Sequence, residues 1–349
     1  MSVHLPSSPT VQVLLAIWRR LLGRSSIRND EEFFSIGGTP ELATRLFTEI
    51  GQAFGRRLPA ESIYHAPTIT ALAALLENPG TLSGLPLVLL KQGTAPPVFL
   101  AHGLGGSVFQ FFHLVKHIQT THSIYAFQAK GMDAVHEPLD RIEDMAQFHL
   151  DAMKKCQPHG PYFLVGYSLG GLIVFEIARC LVESGENVPL LAMVDAYPHP
   201  RHLRTSQRAS LIFQLLRRQA SAISSWPPRQ AFPALLRYRD ERRPNSRVRK
   251  QGVAHEIGAS PTPTFERIRD SAARALANYR PKFYPGEIKF VRADIPSEFP
   301  ADPAAIWANL AAQLAIQTVE GNHESMLKTH FAGLGAVLSH YLQHLPSSE

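Results

Sequence analysis

The sequence predicts an α/β architecture: a mostly parallel sheet flanked by helices, carrying a late helical insertion and preceded by a small all-α unit. Three observations carry this expectation. Beyond Pro97, short apolar runs alternate with longer helical patterns, the order that places helices on both faces of a parallel sheet. The first eighty residues carry helical periodicity alone. The chain has 349 residues, 45% of them hydrophobic and 18% charged, which suits about two domains with buried cores.

In the N-terminal part, Val11, Leu14, Leu15, Trp18, Leu21 and Leu22 recur at helical spacing, with Arg19 and Arg20 on the other side and Gly23 as a stop. Thr39-Pro40 opens a second helix, because threonine caps free N–H groups and proline is pre-set for the first turn. Its apolar positions continue through Leu42, Leu46 and Ile50, and a further helix runs over 68–76. The turn-forming residues of 78–84 mark the start of a linker over 81–96. After it, strands are expected at 98–101, 124–128, 162–165, 190–194, 288–291 and 315–319. Helices are expected at 108–118, 142–155, 169–181 and 324–342. The alternation stops near Pro198, so 199–275 reads as a lid inserted over the carboxyl edge of the sheet. In it, Leu211, Ile212, Phe213, Leu215 and Leu216 before Arg217-Arg218 read as an amphipathic helix that lines a pocket.

Composition narrows the function classes. No stretch approaches the ~18 apolar residues of a membrane span, and the N-terminus lacks the basic and apolar regions of a secretory signal. Cys156 and Cys180 are the only cysteines, too few for a disulfide framework or a metal cluster. A cytoplasmic location is the expectation, with no bound metal. The net charge of +6 is uneven: residues 199–251 hold 13 Arg/Lys against Asp240 and Glu241. This block accompanies no nucleic-acid motif or interleaved aromatics, so its arginines are expected to meet a phosphate or an acidic protein surface, with a merely solvated face as the alternative.

Gly166-Tyr167-Ser168-Leu169-Gly170 is a G-x-S-x-G between an expected strand and an expected helix. Strand, sharp turn and helix present a serine oxygen at the top of the sheet in the α/β-hydrolase fold. A serine needs a base, and the base an orienting carboxylate. His323, in a loop between the last strand and the last helix, stands where the order Ser…Asp…His places the base. Asp195 and Asp294 both follow strands at the edge where such sheets build their sites; position favours Asp195, with Asp294 its rival. The oxyanion needs two N–H donors. Leu169 supplies one, and His102-Gly103-Leu104-Gly105-Gly106 the other, assigned to Leu104 with Gly103 as the alternative.

Residues 97–349 resemble a type I thioesterase domain of the kind that ends nonribosomal peptide synthetases and polyketide synthases. The matching stretches are His102-Gly103-Leu104-Gly105-Gly106, Pro158-His159-Gly160-Pro161-Tyr162 leading into the serine motif, Val194-Asp195-Ala196-Tyr197-Pro198, and Gly321-Asn322-His323-Glu324-Ser325-Met326-Leu327. This resemblance supports Asp195 over Asp294. Residues 10–80 resemble a four-helix peptidyl or acyl carrier domain, through Ile17-Trp18 with Leu21-Leu22-Gly23, Asp30-Glu31-Glu32-Phe33-Phe34-Ser35-Ile36-Gly37-Gly38, Leu42-Ala43-Thr44-Arg45-Leu46, and Tyr64-His65-Ala66-Pro67-Thr68-Ile69. Carriers attach phosphopantetheine to a serine two residues after the Gly-Gly. Here Pro40 stands at that place, with Thr39 and Ser35 the nearest hydroxyls, so no covalently bound cofactor is expected and the fold is expected to serve docking or spacing.

Together the resemblances imply a thioesterase that releases an acyl or peptidyl chain by hydrolysis or cyclisation. The substrate would arrive on the pantetheine arm of a partner carrier protein or upstream synthetase, or on CoA. A carboxylester hydrolase and a non-catalytic scaffold are the alternative readings; the oligomeric state is not legible.

Overall fold

The computed structural model describes residues 8–56, 58–77, 86–133, 135–203, 205, 209, 263–295 and 302–345. Its N-terminal helices begin and end on local chemistry. In α1 (Pro9–Leu22) the Ser8 hydroxyl accepts from Val11 N–H, and Gly23 closes the helix at φ 66°. In α2 (Pro40–Phe54) Thr39 accepts from Leu42 N–H and Gly55 ends the helix at the same φ. A 3₁₀ turn over Ala60–Tyr64 and α3 (Ile69–Glu77) complete the unit. Leu14, Trp18, Phe33, Leu46, Ile50, Ile63, Ile69 and Leu72 form its fully buried centre, each contributing about 1.5–3 kcal/mol by leaving water.

The rest of the chain is built on seven strands: β1 (Leu87–Lys91), β2 (Ala95–Ala101), β3 (His122–Phe127), β4 (Phe163–Tyr167), β5 (Leu190–Val194), β6 (Tyr284–Ala293) and β7 (Ala311–Val319). Their order is β1-β3-β2-β4-β5-β6-β7, parallel throughout except for β1 against β3. Successive strand residues point to opposite faces, which gives two cores. Phe99 and Ala101 face one layer with Leu172, Phe175 and Trp307; Val98 and Leu100 face the other with Val108, Leu114, Leu334 and Leu338. The central strands are buried on both sides, which is why they read as unbroken apolar runs.

Three expectations change. Residues 87–91 belong to the sheet rather than to a linker: Val88 is buried and pairs with Ala126. A five-residue edge strand with no helix between it and β2 leaves no strand–helix alternation to read. The expected helix at 108–118 divides into a 3₁₀ turn, Val108–Phe111, and a helix, Leu114–His117. The expected helix at 324–342 divides into Ser325–Lys328 and Phe331–Gln343, with Thr329 and His330 N–H both donating to the Ser325 carbonyl. Apolar spacing runs through both breaks and so hides them. Of the expected lid, the helix Pro263–Asn278 covers the C-terminal end; Leu211, Ile212, Phe213, Leu215, Leu216 and most of the basic block lie outside the described residues. Among the described residues no helix is long and apolar enough to cross a membrane.

Candidate active site

At the end of β4 the chain turns so sharply that Ser168 adopts φ 56°, ψ −121°, a region that strains any residue with a side chain. The turn is held by Ser168 N–H donating to the Val194 carbonyl at 2.9 Å and Gly171 N–H to the Ser168 carbonyl at 3.0 Å. Glycine is required at Gly170 because a Cβ there would run into the Ala101 and His102 carbonyls. The nucleophile helix, Leu169–Glu183, therefore packs directly on the end of β2.

The next strand ends on a second strained residue. Asp195 has φ 46°, and its N–H donates to the Val291 carbonyl at 2.8 Å. Its buried carboxylate (4% exposed) accepts from His323 Nδ1 across 2.7 Å, and His323 Nε2 stands 3.1 Å from Ser168 Oγ. With Nδ1 donating to the carboxylate, Nε2 is left to accept the serine hydroxyl proton. The three residues that the sequence singles out at positions 168, 195 and 323 thus meet in one hydrogen-bonded chain. Asp294 takes a different place: its carboxylate accepts from Gly321 N–H at 2.8 Å and shapes the turn before His323. Gly321 sits at φ 104° in that turn, and the Asn322 side chain accepts from Glu324 and Ser325 N–H beyond it.

Two tyrosines join the site without having been singled out. Tyr167 stacks on the His323 ring, centroids 4.9 Å apart, and its hydroxyl donates to the His323 carbonyl at 2.6 Å. Tyr197 is buried beside Asp195; burial first, and then the carboxylate, push its hydroxyl far above its ordinary range, so it stays a proton donor to that carboxylate. The only sequence signal for either was proximity to Ser168 and Asp195.

The loop after β2 lies alongside. Burial drives His102 below the usual histidine range, and His149, packed edge-to-face on it, further below. Neutral His102 then donates from Nδ1 to the Gly103 carbonyl at 2.8 Å, and Gly106 N–H donates to the same oxygen at 3.2 Å. Carbonyl and N–H of one trans peptide point opposite ways, so Leu104 N–H is directed away from that pair. Leu169 is the first residue of its helix, where N–H groups have no intrahelical partner and the dipole favours negative charge. Ile268 of the helix Pro263–Asn278 lies against Gly106, and Phe265 against Gly105. Among the described residues no cluster of three His, Cys, Asp or Glu side chains could hold a metal ion.

Pro40 is buried at the first turn of α2, and the neighbouring Thr39 hydroxyl caps that helix. Ser35 Oγ donates to the Glu32 carboxylate at 3.3 Å. The position two residues after Gly37-Gly38 offers no side-chain hydroxyl to a phosphopantetheine, so the residues present do not fit covalent attachment there.

Both parts of the chain are similar to known proteins. The family model Phosphopantetheine attachment site matches residues 12–76. The chain is 28% identical over 349 residues to the dimodular nonribosomal peptide synthase of Bacillus subtilis, covering 97% of this chain and 14% of that protein. It is 34% identical over 191 residues to the indigoidine synthase of Streptomyces lavendulae, covering 54% of this chain and 15% of that one. The chain thus spans about a seventh of the length of these relatives. A holo four-domain nonribosomal peptide synthetase superposes on the whole chain and 27% of its own length, with TM-score 0.58 and 24% identity. The Vlm2 thioesterase domain covers 76% of this chain and all of its own, with TM-score 0.51 and 22% identity; both likenesses bear on the fold. The family model Thioesterase domain matches residues 96–345, most of the chain, and the chain belongs to the thioesterase domain family.

Proposed function

We propose that the protein is a serine thioesterase that releases an acyl or peptidyl chain from a pantetheine thioester in natural-product biosynthesis. The observation that carries this reading is the hydrogen-bonded chain Asp195–His323–Ser168 at the carboxyl edge of the sheet. Ser168 Oγ attacks the thioester carbonyl carbon while His323 Nε2 takes its proton. Asp195 holds the ring in the required tautomer and stabilises the imidazolium. Leu104 and Leu169 N–H groups receive the charge that develops on the carbonyl oxygen. Collapse breaks the C–S bond, and His323 returns the proton to the leaving sulfur. Water, or a nucleophile within the acyl chain, then attacks the acyl-enzyme with His323 again as base, giving hydrolysis or cyclisation.

The thioester is delivered on the arm of a partner carrier protein or synthetase, or on CoA, because the carrier-like residues 10–80 have Pro40 where the arm would be. Incubation with CoA and a promiscuous phosphopantetheinyl transferase is expected to leave the intact mass unchanged; a gain of one pantetheine arm would restore this part of the chain as the carrier. The activity itself is tested with paired substrates. Cleavage of an acyl N-acetylcysteamine thioester is expected to exceed that of the matching ethyl ester by at least about tenfold in kcat/KM, and the reverse ranking would make the protein a carboxylester hydrolase. No turnover, together with no labelling of Ser168 by a fluorophosphonate, would leave the scaffold reading.

A further inference from the structure

We propose that the helical N-terminal part is a fixed support of the acyl-transfer site, in which Glu61 holds Ser107 and thereby the loop 102–106 that presents Leu104. The inference rests on the reading of that loop as an oxyanion donor. It assigns to a carrier-like fold the role of a positioning element, in place of a shuttle.

Glu61 lies in the 3₁₀ turn Ala60–Tyr64 and is 5% exposed; Ser107, directly after the loop, is 8% exposed. Ser107 Oγ donates to Glu61 Oε1 at 2.6 Å. Ser107 Oγ also accepts from Phe109 N–H at 3.2 Å and so starts the next 3₁₀ turn. The Gln128 side chain also hydrogen-bonds Glu61. Gly106, the residue before Ser107, adopts φ 75° and has its carbonyl held by Ala129 N–H. Glu61 therefore grips the hinge end of a loop whose other end is held by His102 Nδ1 on the Gly103 carbonyl and by Gly103 N–H donating to Gln110 Oε1 at 3.4 Å.

The surroundings make this contact a permanent one. Phe109, on the sheet-bearing side, enters the apolar core of the helical unit. Its ring lies 5.7 Å from Tyr64 and 6.5 Å from Phe34, while Phe34 lies 5.0 Å from Phe112. A shuttle would have to leave this cluster in every cycle, exposing four aromatic rings and separating a buried carboxyl from its hydroxyl partner, and a half-broken buried polar pair is costly. Pro40 removes the reason to leave.

The test uses the full chain and three single variants: Glu61→Ala, Ser107→Ala and Glu61→Gln, whose amide oxygen still accepts from Ser107. Amide hydrogen exchange over residues 102–112 is read alongside kcat and KM for an acyl N-acetylcysteamine thioester, which needs no carrier. Glu61→Ala and Ser107→Ala are each expected to speed exchange in that segment at least about tenfold. Each should lower kcat by about tenfold with KM within about twofold, a loss smaller than deleting an oxyanion donor outright. The Glu61→Ala/Ser107→Ala double variant should lose clearly less than the product of the two single losses, because the bond they share can be lost only once, and Glu61→Gln should keep wild-type exchange and kcat. Wild-type exchange and kcat in both alanine variants would overturn the proposal, as would an additive double variant. Should Glu61→Ala not fold, Glu61→Met, which fills the same buried space without an acceptor and leaves the Ser107 cap on Phe109 N–H intact, takes its place with the same expected result. If the wild type does not cleave thioesters, the functional reading falls, while the exchange comparison still decides whether Glu61 holds the loop.

Discussion

Replacing Ser168 with alanine will lower thioester turnover by about 10⁴-fold or more, equivalent to roughly 5.5 kcal/mol of transition-state stabilisation. The magnitude follows from what the side chain does. Its oxygen is 3.1 Å from His323 Nε2, and without it there is no atom to form the acyl-enzyme. Alanine bears a Cβ as serine does, so it inherits the φ of 56° without new strain, and the turn's backbone hydrogen bonds to Val194 and Gly171 do not involve the hydroxyl. The melting temperature should stay within a few degrees of wild type. Single-turnover assays with an acyl N-acetylcysteamine thioester and a thermal melt of the same variant check both halves. Turnover within tenfold of wild type would remove Ser168 as the nucleophile.

Asp195→Asn should cost about 10³–10⁴-fold in kcat. An asparagine fits the same space, but it can present an N–H to Nδ1. The ring would then adopt the other tautomer, with Nε2 protonated and unable to accept from Ser168. Tyr197, held protonated beside this carboxylate, would still have an acceptor in the amide oxygen and would favour that wrong orientation of the amide nitrogen. The companion variant Asp294→Asn is expected to stay within about threefold, since an amide oxygen can still accept from Gly321 N–H as the carboxylate does at 2.8 Å. Steady-state kinetics on the two proteins rank the carboxylates. The opposite ranking would transfer the orienting role to Asp294.

Much of this site is readable in the sequence because its signals are local. A glycine on either side of Ser168, a strand before it and a helix after it all lie within a few residues, as do the cap at Thr39 and the stops at Gly23 and Gly55. Periodicity of two or 3.6 then separates strand from helix, and chain order places His323 after the last strand. The edge strand at Leu87–Lys91 escapes this reading, because five residues paired to a distant strand carry no periodicity of their own to separate them from an extended linker.

By itself the sequence determined the strand–turn–helix that exposes Ser168, the class of the sheet, and the absence of a hydroxyl at Pro40. Only the tertiary structure decided which carboxylate meets His323. Asp195 and Asp294 stand at the ends of neighbouring strands, β5 and β6, and both look eligible along the chain; the loop after β7 folds so that Gly321 takes Asp294 while the imidazole reaches Asp195. It also decided that Tyr167 covers the ring, and that Glu61 reaches Ser107 across 46 residues of chain. The reason is one of range. Caps, turns and periodicity act between residues a few positions apart, whereas a hydrogen bond between distant segments exists only once strand order and packing have brought its two ends within 3 Å.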